Sequence, residues 1–250
     1  MRQFDVLVFE EDGPRFASWK PAFEDAALGW FHDSDWNRPL QGIDAEWIVF
    51  AHPSVHIDRD FLNNLAECTE GFPMVDAFAP RLKFDHHFFG GMLLDGGRVF
   101  RPISENEKMR FVAAPNPLIG VFSSRIIQRT GLFDMDLPPE FRLSDYALRM
   151  AHAGGKMFSV PYLVATASED CPAEILDGNF LSRKSSVAPL WEIAYKNLNA
   201  GPLVGFTMRH PGTLPKFLGI DGESKRRNLK RDKATALSKL SASHLKEISA

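Results

Sequence analysis

The chain has 250 residues, 44% hydrophobic and 24% charged, which supports one large core, or one domain with an extension, and excludes a disordered or fibrous chain. Its formal charge of −3 is uneven: from Lys225 onward eight Lys/Arg stand against two Asp/Glu, so a basic tail follows an acidic body. Two distant cysteines, Cys68 and Cys171, exclude a disulfide framework or a zinc site and imply a reducing compartment. No apolar stretch nears the roughly 20 residues needed to cross a bilayer, and the run at 6–9 is too short for a signal peptide.

Residues 4–9 form an apolar run broken only by Asp5 and stopped by Glu10-Glu-Asp-Gly-Pro14, the pattern of a strand and a turn. Residues 18–31 place Trp19, Phe23, Ala26, Ala27, Trp30 and Phe31 at helical spacing. Residues 46–51 read as a strand apolar on both faces, as in the interior of a parallel sheet, and run into His52-Pro53-Ser54. Asp58 is placed to cap a helix with Phe61, Leu62, Leu65 and Ala66 on one face and Gly71 at its end. Residues 74–84 predict a third strand, and 86–102, with Asp95-Gly-Gly, a hairpin. A strand at 116–124 leads into a short helix at 125–130. After Pro138-Pro139 comes an amphipathic helix with Asp145 in its first turn and Gly154-Gly155 at its end, followed by short strands at 157–160 and 163–167. This alternation predicts an α/β domain over residues 1–172 with a mainly parallel sheet. Residues 173–250 predict a helical extension, with Leu190, Trp191, Ile193, Ala194, Tyr195 and Leu198 apolar and a Lys/Arg-rich helix from Ser224.

Open α/β sheets place ligands at strand ends and helix starts, which singles out His52-Pro53-Ser54 and Asp145. Gly90-Gly91 and Gly96-Gly97 lack the context of a phosphate-binding loop, and no nucleophile elbow is present. The acidic body and the lack of any recognition motif make nucleic acid, which a basic tail could touch, the weakest of the partner readings, and none is expected. The basic segment 225–250 is the part suited to an anionic membrane surface, so a cytoplasmic protein, peripheral at most, is expected.

Four segments in order resemble family 2 glycosyltransferases of the GT-A fold, over about residues 37–170. They are Asn37-Arg-Pro-Leu-Gln-Gly-Ile-Asp-Ala-Glu-Trp-Ile-Val-Phe50, Val75-Asp-Ala-Phe-Ala-Pro-Arg-Leu82, Leu118-Ile-Gly-Val-Phe-Ser-Ser-Arg125 continuing to Asp134, and Leu143-Ser-Asp-Tyr-Ala-Leu-Arg149 continuing to Lys156. The resemblance implies a GT-A-like sheet flanked by helices and transfer of a sugar from a nucleotide-diphosphate donor to a saccharide-like acceptor. It implies Asp145 as general base. Glu10, Asp12, His52 and Ser54 would contact the donor, and Phe88, Phe89 and Ser144 the acceptor. A divalent cation, Mn²⁺ or Mg²⁺, would screen the diphosphate, with Ser54, His56 and Glu169 at the metal positions. The sequence departs from the family where Ser54 stands in place of the expected carboxylate, since a neutral hydroxyl is a weak ligand for such ions. It also has room for one strand–helix unit ahead of Asn37 where the family has two. The alternative is a non-catalytic GT-A-like domain that binds a sugar, a nucleotide or a protein partner.

Overall fold

A segment such as Ala45–Ala51, buried everywhere except at Glu46, must be covered on both faces. In the computed structural model, which describes residues 2–9, 28–33, 35–42, 44–95, 98–103, 108–171, 175, 178–198, 200–218, 221–236 and 247–249, it lies inside the main sheet. The strands are β1 (Arg2–Phe9), β2 (Leu28–Asp33), β3 (Ala45–Ala51), β4 (Val55–His56), β5 (Ala77–Phe84), β6 (His87–Phe89), β7 (Met92–Asp95), β8 (Val99–Pro102), β9 (Arg110–Phe111), β10 (Ile119–Ser123) and β11 (Met157–Ala167). The helices are α1 (Asn37–Leu40), α2 (Arg59–Gly71), α3 (Ser124–Thr130), α4 (Pro139–His152), α5 (Val187–Asn197), α6 (Ala200–Arg209), α7 (Leu214–Phe217) and α8 (Ser224–Ala236). The sheet runs β2-β1-β3-β10-β5-β11-β4, with β6 on β5 and β9 on β11. β2, β1, β3, β5 and β11 point one way, and β10 runs against its neighbours β3 and β5. The fold is therefore mixed α/β with a mainly parallel central sheet, as expected.

Alternation along the strands divides the core. Val6 and Val8 of β1, with Trp47, Val49 and Ala51 of β3, pack with Phe61, Leu62, Leu65 and Cys68 of α2 on one face. Leu7, Phe9, Ile48 and Phe50 face the other way, toward Ile126, Phe141, Tyr146 and Leu148 of α3 and α4. Asp58 caps α2 as its sequence position implies, its Oδ1 accepting from the Phe61 N–H at 2.7 Å. The C-terminal helices extend the second face: Leu190, Trp191, Ile193 and Ala194 of α5 belong to the same buried cluster. Near the end of the chain Ile248 is buried too, and its carbonyl accepts from Leu94 N–H at 2.9 Å.

Several boundaries differ from the sequence reading. Residues 28–33 form a strand, not the end of a helix, and pair in parallel with β1 from Phe4↔Leu28 to Phe9↔Asp33. Pairing satisfies the outer edge of β1, a tertiary demand that helical spacing does not report. Two strands therefore precede Asn37. The third strand starts at Ala77, with Met74 exposed. Segment 86–102 splits, because β6 folds back on β5 across Asp85-His86 while β7 and β8 form a separate hairpin. The two short strands near 160 are one, β11, with a register shift between Ser159 and Val164. Pro161 lies in that interval and has no N–H to give the ladder.

Candidate functional site

Topology locates the switch point. β1 pairs with β2 on one side and β3 on the other, and beyond the C-terminal ends of two such strands is where open α/β sheets place ligands. Phe9 ends β1, and His52-Pro53-Ser54 follows β3. Aromatic rings crowd this end. Phe9 meets Trp36 at 4.1 Å and His52 at 5.7 Å, Trp36 meets Phe133 at 5.2 Å, and Phe133 stacks on Tyr146 at 4.1 Å. The Arg142 guanidinium lies over Trp36 at 5.2 Å. Among the described residues two buried donors in this region have no acceptor, the Trp36 indole N–H and the Asn116 amide. Asn116 is tied to the corner through Leu118, whose N–H it accepts at 2.8 Å and whose carbonyl accepts from His52 N–H at 2.8 Å.

The His-Pro-Ser corner is closed on itself. His52 is 7% exposed and Ser54 1%. His52 Nδ1 lies 2.6 Å from the Ser54 hydroxyl and also accepts the Ser54 N–H at 3.1 Å. Burial lowers the His52 pKa to about 4, so the ring is neutral at pH 7. The Ser54 carbonyl accepts from Ser168 N–H at 2.7 Å, which joins the corner to the end of β11. Burial also pushes the Cys171 thiol up to about 11, opposed by a hydrogen bond with Ser54. These contacts do not suit a hard divalent cation. Ser54 presents a hydroxyl already engaged with an imidazole. His56, on β4, and Glu169, past the end of β11, are exposed, and no cluster of three His, Cys, Asp or Glu able to hold a metal exists among the described residues. The metal positions implied by the resemblance therefore do not assemble a metal site.

Asp145 also stands differently from its expected place. Pro138 precedes the helix and Pro139 occupies its first position, as proline's fixed φ favours, so the first-turn acid is Glu140 and Asp145 falls in the second turn. Asp145 is 0% exposed. Its Oδ2 accepts from Arg149 Nε at 2.9 Å, and its Oδ1 meets Lys196 Nζ at 2.8 Å and accepts from Asn197 Nδ2 at 3.0 Å. Burial raises its pKa, but Lys196 and Arg149 outweigh that and hold the carboxyl below its ordinary value. Lys196 also meets Asp134 at 2.7 Å, and Lys230 reaches Asp134 at 2.9 Å and Asp136 at 2.7 Å. Asp134 is likewise held low, burial being outweighed by Lys196 and Lys230. This network clamps the segment before α4 to α5 and α8.

The remaining candidates scatter. Phe89 is 2% exposed and belongs to the core, and Phe88 lies half-buried beneath the Arg81 guanidinium at 4.1 Å. Ser144 is 1% exposed, with its hydroxyl unpartnered among the described residues. Glu10 and Asp12 lie outside the described residues. In the basic tail, Arg226 pairs with Asp136 at 3.0 Å and Arg227 with Asp221, alongside Lys230 on Asp134 and Asp136, so α8 sits on the acidic body. No described helix is long and apolar enough to cross a membrane. The sequence offers Trp36 as one of several aromatics able to stack on a sugar ring, but gives no role to Asn116, Arg142 or Lys196. Of these, Lys196 left a signal, a lysine inside an apolar helical stripe.

Comparison with solved structures places this fold among GT-A glycosyltransferases. S. aureus TarS 1-349 in complex with UDP-GlcNAc superposes with a TM-score of 0.51 at 11% identity, over 93% of this chain and 79% of that one. GalNAc-T7 with UDP, GalNAc and Mn²⁺ gives 0.48 at 8% identity over 78% of this chain, which spans 48% of GalNAc-T7. Mannosyltransferase PcManGT from Pyrobaculum calidifontis, with GDP-Man and Mn²⁺, gives 0.41 at 11% identity, over 94% of this chain and 86% of that one. No family model and no curated protein sequence matches the chain.

Proposed function

We propose that this chain is a GT-A domain that binds a nucleotide sugar at the ends of β1 and β3, without a divalent cation and without transferring the sugar through Asp145. One observation carries the reading: both oxygens of Asp145 are held inside the protein by Arg149, Lys196 and Asn197. A general base must reach the hydroxyl it deprotonates, and a carboxylate stabilised as an anion by two cations is a weak proton acceptor. The engaged hydroxyl of Ser54 and the solvent exposure of His56 and Glu169 support the metal-free half of the proposal. The ligand class is supported by the topological switch point and by the donors of Trp36 and Asn116, unpartnered among the described residues, which suit an acceptor-rich molecule. Glu10 and Asp12, next in sequence after the end of β1, are the carboxylates we assign to ribose or base contact. The TarS 1-349 structure contains UDP-GlcNAc, which makes a UDP-sugar the first ligand to test.

The test is turnover. Purified protein is incubated with UDP-GlcNAc or GDP-mannose and Mn²⁺, and free nucleotide diphosphate is measured. The reading expects release no faster than in protein-free buffer. Release above the protein-free rate that is lost in Asp145→Asn, assayed at a temperature where circular dichroism shows the variant still folded, contradicts it.

A further inference from the structure

Away from the β1/β3 switch point, β8, the turn Asn179–Ser182 and the end of α6 enclose a cavity of about 430 Å³. That volume falls in the lower part of the range of small-molecule sites, about 300–1,000 Å³. Its floor is apolar, made by Phe100 and Phe206, each 1% exposed. Its rim carries Arg98, Arg101, Arg209 and His210, and among the described residues no acidic one lines it. The walls meet closely because Gly178 adopts φ +74°, and a Cβ there would stand 2.6 Å from Pro102 Cγ.

The rim gathers positive charge in one place. Lys196, Arg149 and Lys230 are instead matched by Asp134 and Asp145. Among the described residues the side chains of Arg98, Arg101 and Arg209 make no ion pair or hydrogen bond, and the His210 ring rests on Phe206 at 4.5 Å. Arginines around one hollow on an acidic protein repel each other unless an anion lies between them. Guanidinium forks match the oxygens of phosphate, and a dianion balances several of them better than one carboxylate does. The apolar floor then takes the carbon skeleton, and the volume limits that skeleton to about a monosaccharide.

We propose that this cavity binds a phosphomonoester carried on a monosaccharide-sized skeleton. None of Phe9, Trp36, His52 or Asp145 lines it, so the site does not rest on the function proposed for the switch point. Calorimetric titration of the full chain with glucose 1-phosphate tests it, with glucose and glucuronate as comparison ligands and Arg101→Gln/Arg209→Gln as the variant. Both arginines are exposed, so the variant is expected to melt with the wild type. Gly178→Ala supplies a second variant, which narrows the cavity without removing charge. The proposal expects saturable one-site binding of glucose 1-phosphate, weakened about tenfold or more in the double variant and weakened also in Gly178→Ala, with no binding of glucose. It is overturned by an absence of saturable binding, by unchanged affinity in the double variant, or by glucuronate binding as tightly as glucose 1-phosphate.

Discussion

At the residue scale, a carboxylate with no exposed surface is stable as an anion only where cations and hydrogen bonds replace its lost hydration. Asp145 has both, so its removal should register as lost stability. Asp145→Asn is expected to lower the unfolding free energy by about 3 kcal/mol, measured by denaturant melts, since removing one partner of a buried pair costs about 3–5 kcal/mol. A stability unchanged by the substitution would mean that the network contributes nothing. His52 gives a pH signature. Its folded pKa, about 4, lies below the ordinary 6.5, so between those values unfolding takes up a proton that the folded ring refuses. Stability is then complete above pH 6.5 and falls as the pH drops toward 4, by up to about 3 kcal/mol. His52→Asn, which keeps an acceptor for the Ser54 N–H, should flatten the melting-temperature profile across that window. An equal slope in the variant would assign the effect elsewhere. Roles set by near neighbours were legible in the sequence: Asp58 caps a helix that begins one residue later. The role of Asp145 was not, because Asn197, one of its partners, lies 52 residues away and arrives only through the packing of α5 on α4.

At the element scale, the joint between α4 and β11 is tight. A Cβ on Gly155 would come within 2.7 Å of Met150 Cγ and 2.8 Å of Ile126 Cδ1, and both neighbours are buried. Gly155→Ala is therefore expected to destabilise the fold by about 1–3 kcal/mol, the usual cost of overpacking, read as a lower denaturation midpoint. An unchanged midpoint would show that α3 and α4 can part at that point. The docking of α8 can be checked separately. Lys230→Met removes two ion pairs with Asp134 and Asp136 and should expose α8 to faster backbone hydrogen exchange while α2 keeps its protection. Periodicity found α2, α4 and α5 because one apolar face was enough to mark each. It mistook β2 for helix because Trp30 and Phe31 fit helical spacing, whereas pairing with the edge of β1 decides the outcome. It divided β11 because Pro161 reads as a breaker in sequence but sits at a register shift that the sheet tolerates.

At the scale of the molecule, the mainly parallel α/β sheet was legible from the alternation of strands and helices, whereas β2, which makes the switch point between β1 and β3, and the antiparallel course of β10 were not. The chemistry of the site was less legible as well. The family resemblance supplied roles for Asp145, Ser54, His56 and Glu169, and packing gave those residues other surroundings: an internal ion network, a closed corner and two exposed positions. The C-terminal helices take part in that outcome, since α5 delivers Lys196 and Asn197 to the carboxylate while burying Trp191 and Ile193 in the same core face. The most direct measurement of the central claim is calorimetric titration of the whole chain with UDP-, GDP- and dTDP-sugars, each in Mn²⁺ and again in excess chelator. The account predicts that one of them binds with the same affinity in both conditions. Affinity that appears only with Mn²⁺, or no binding of any nucleotide sugar in either condition, would contradict it.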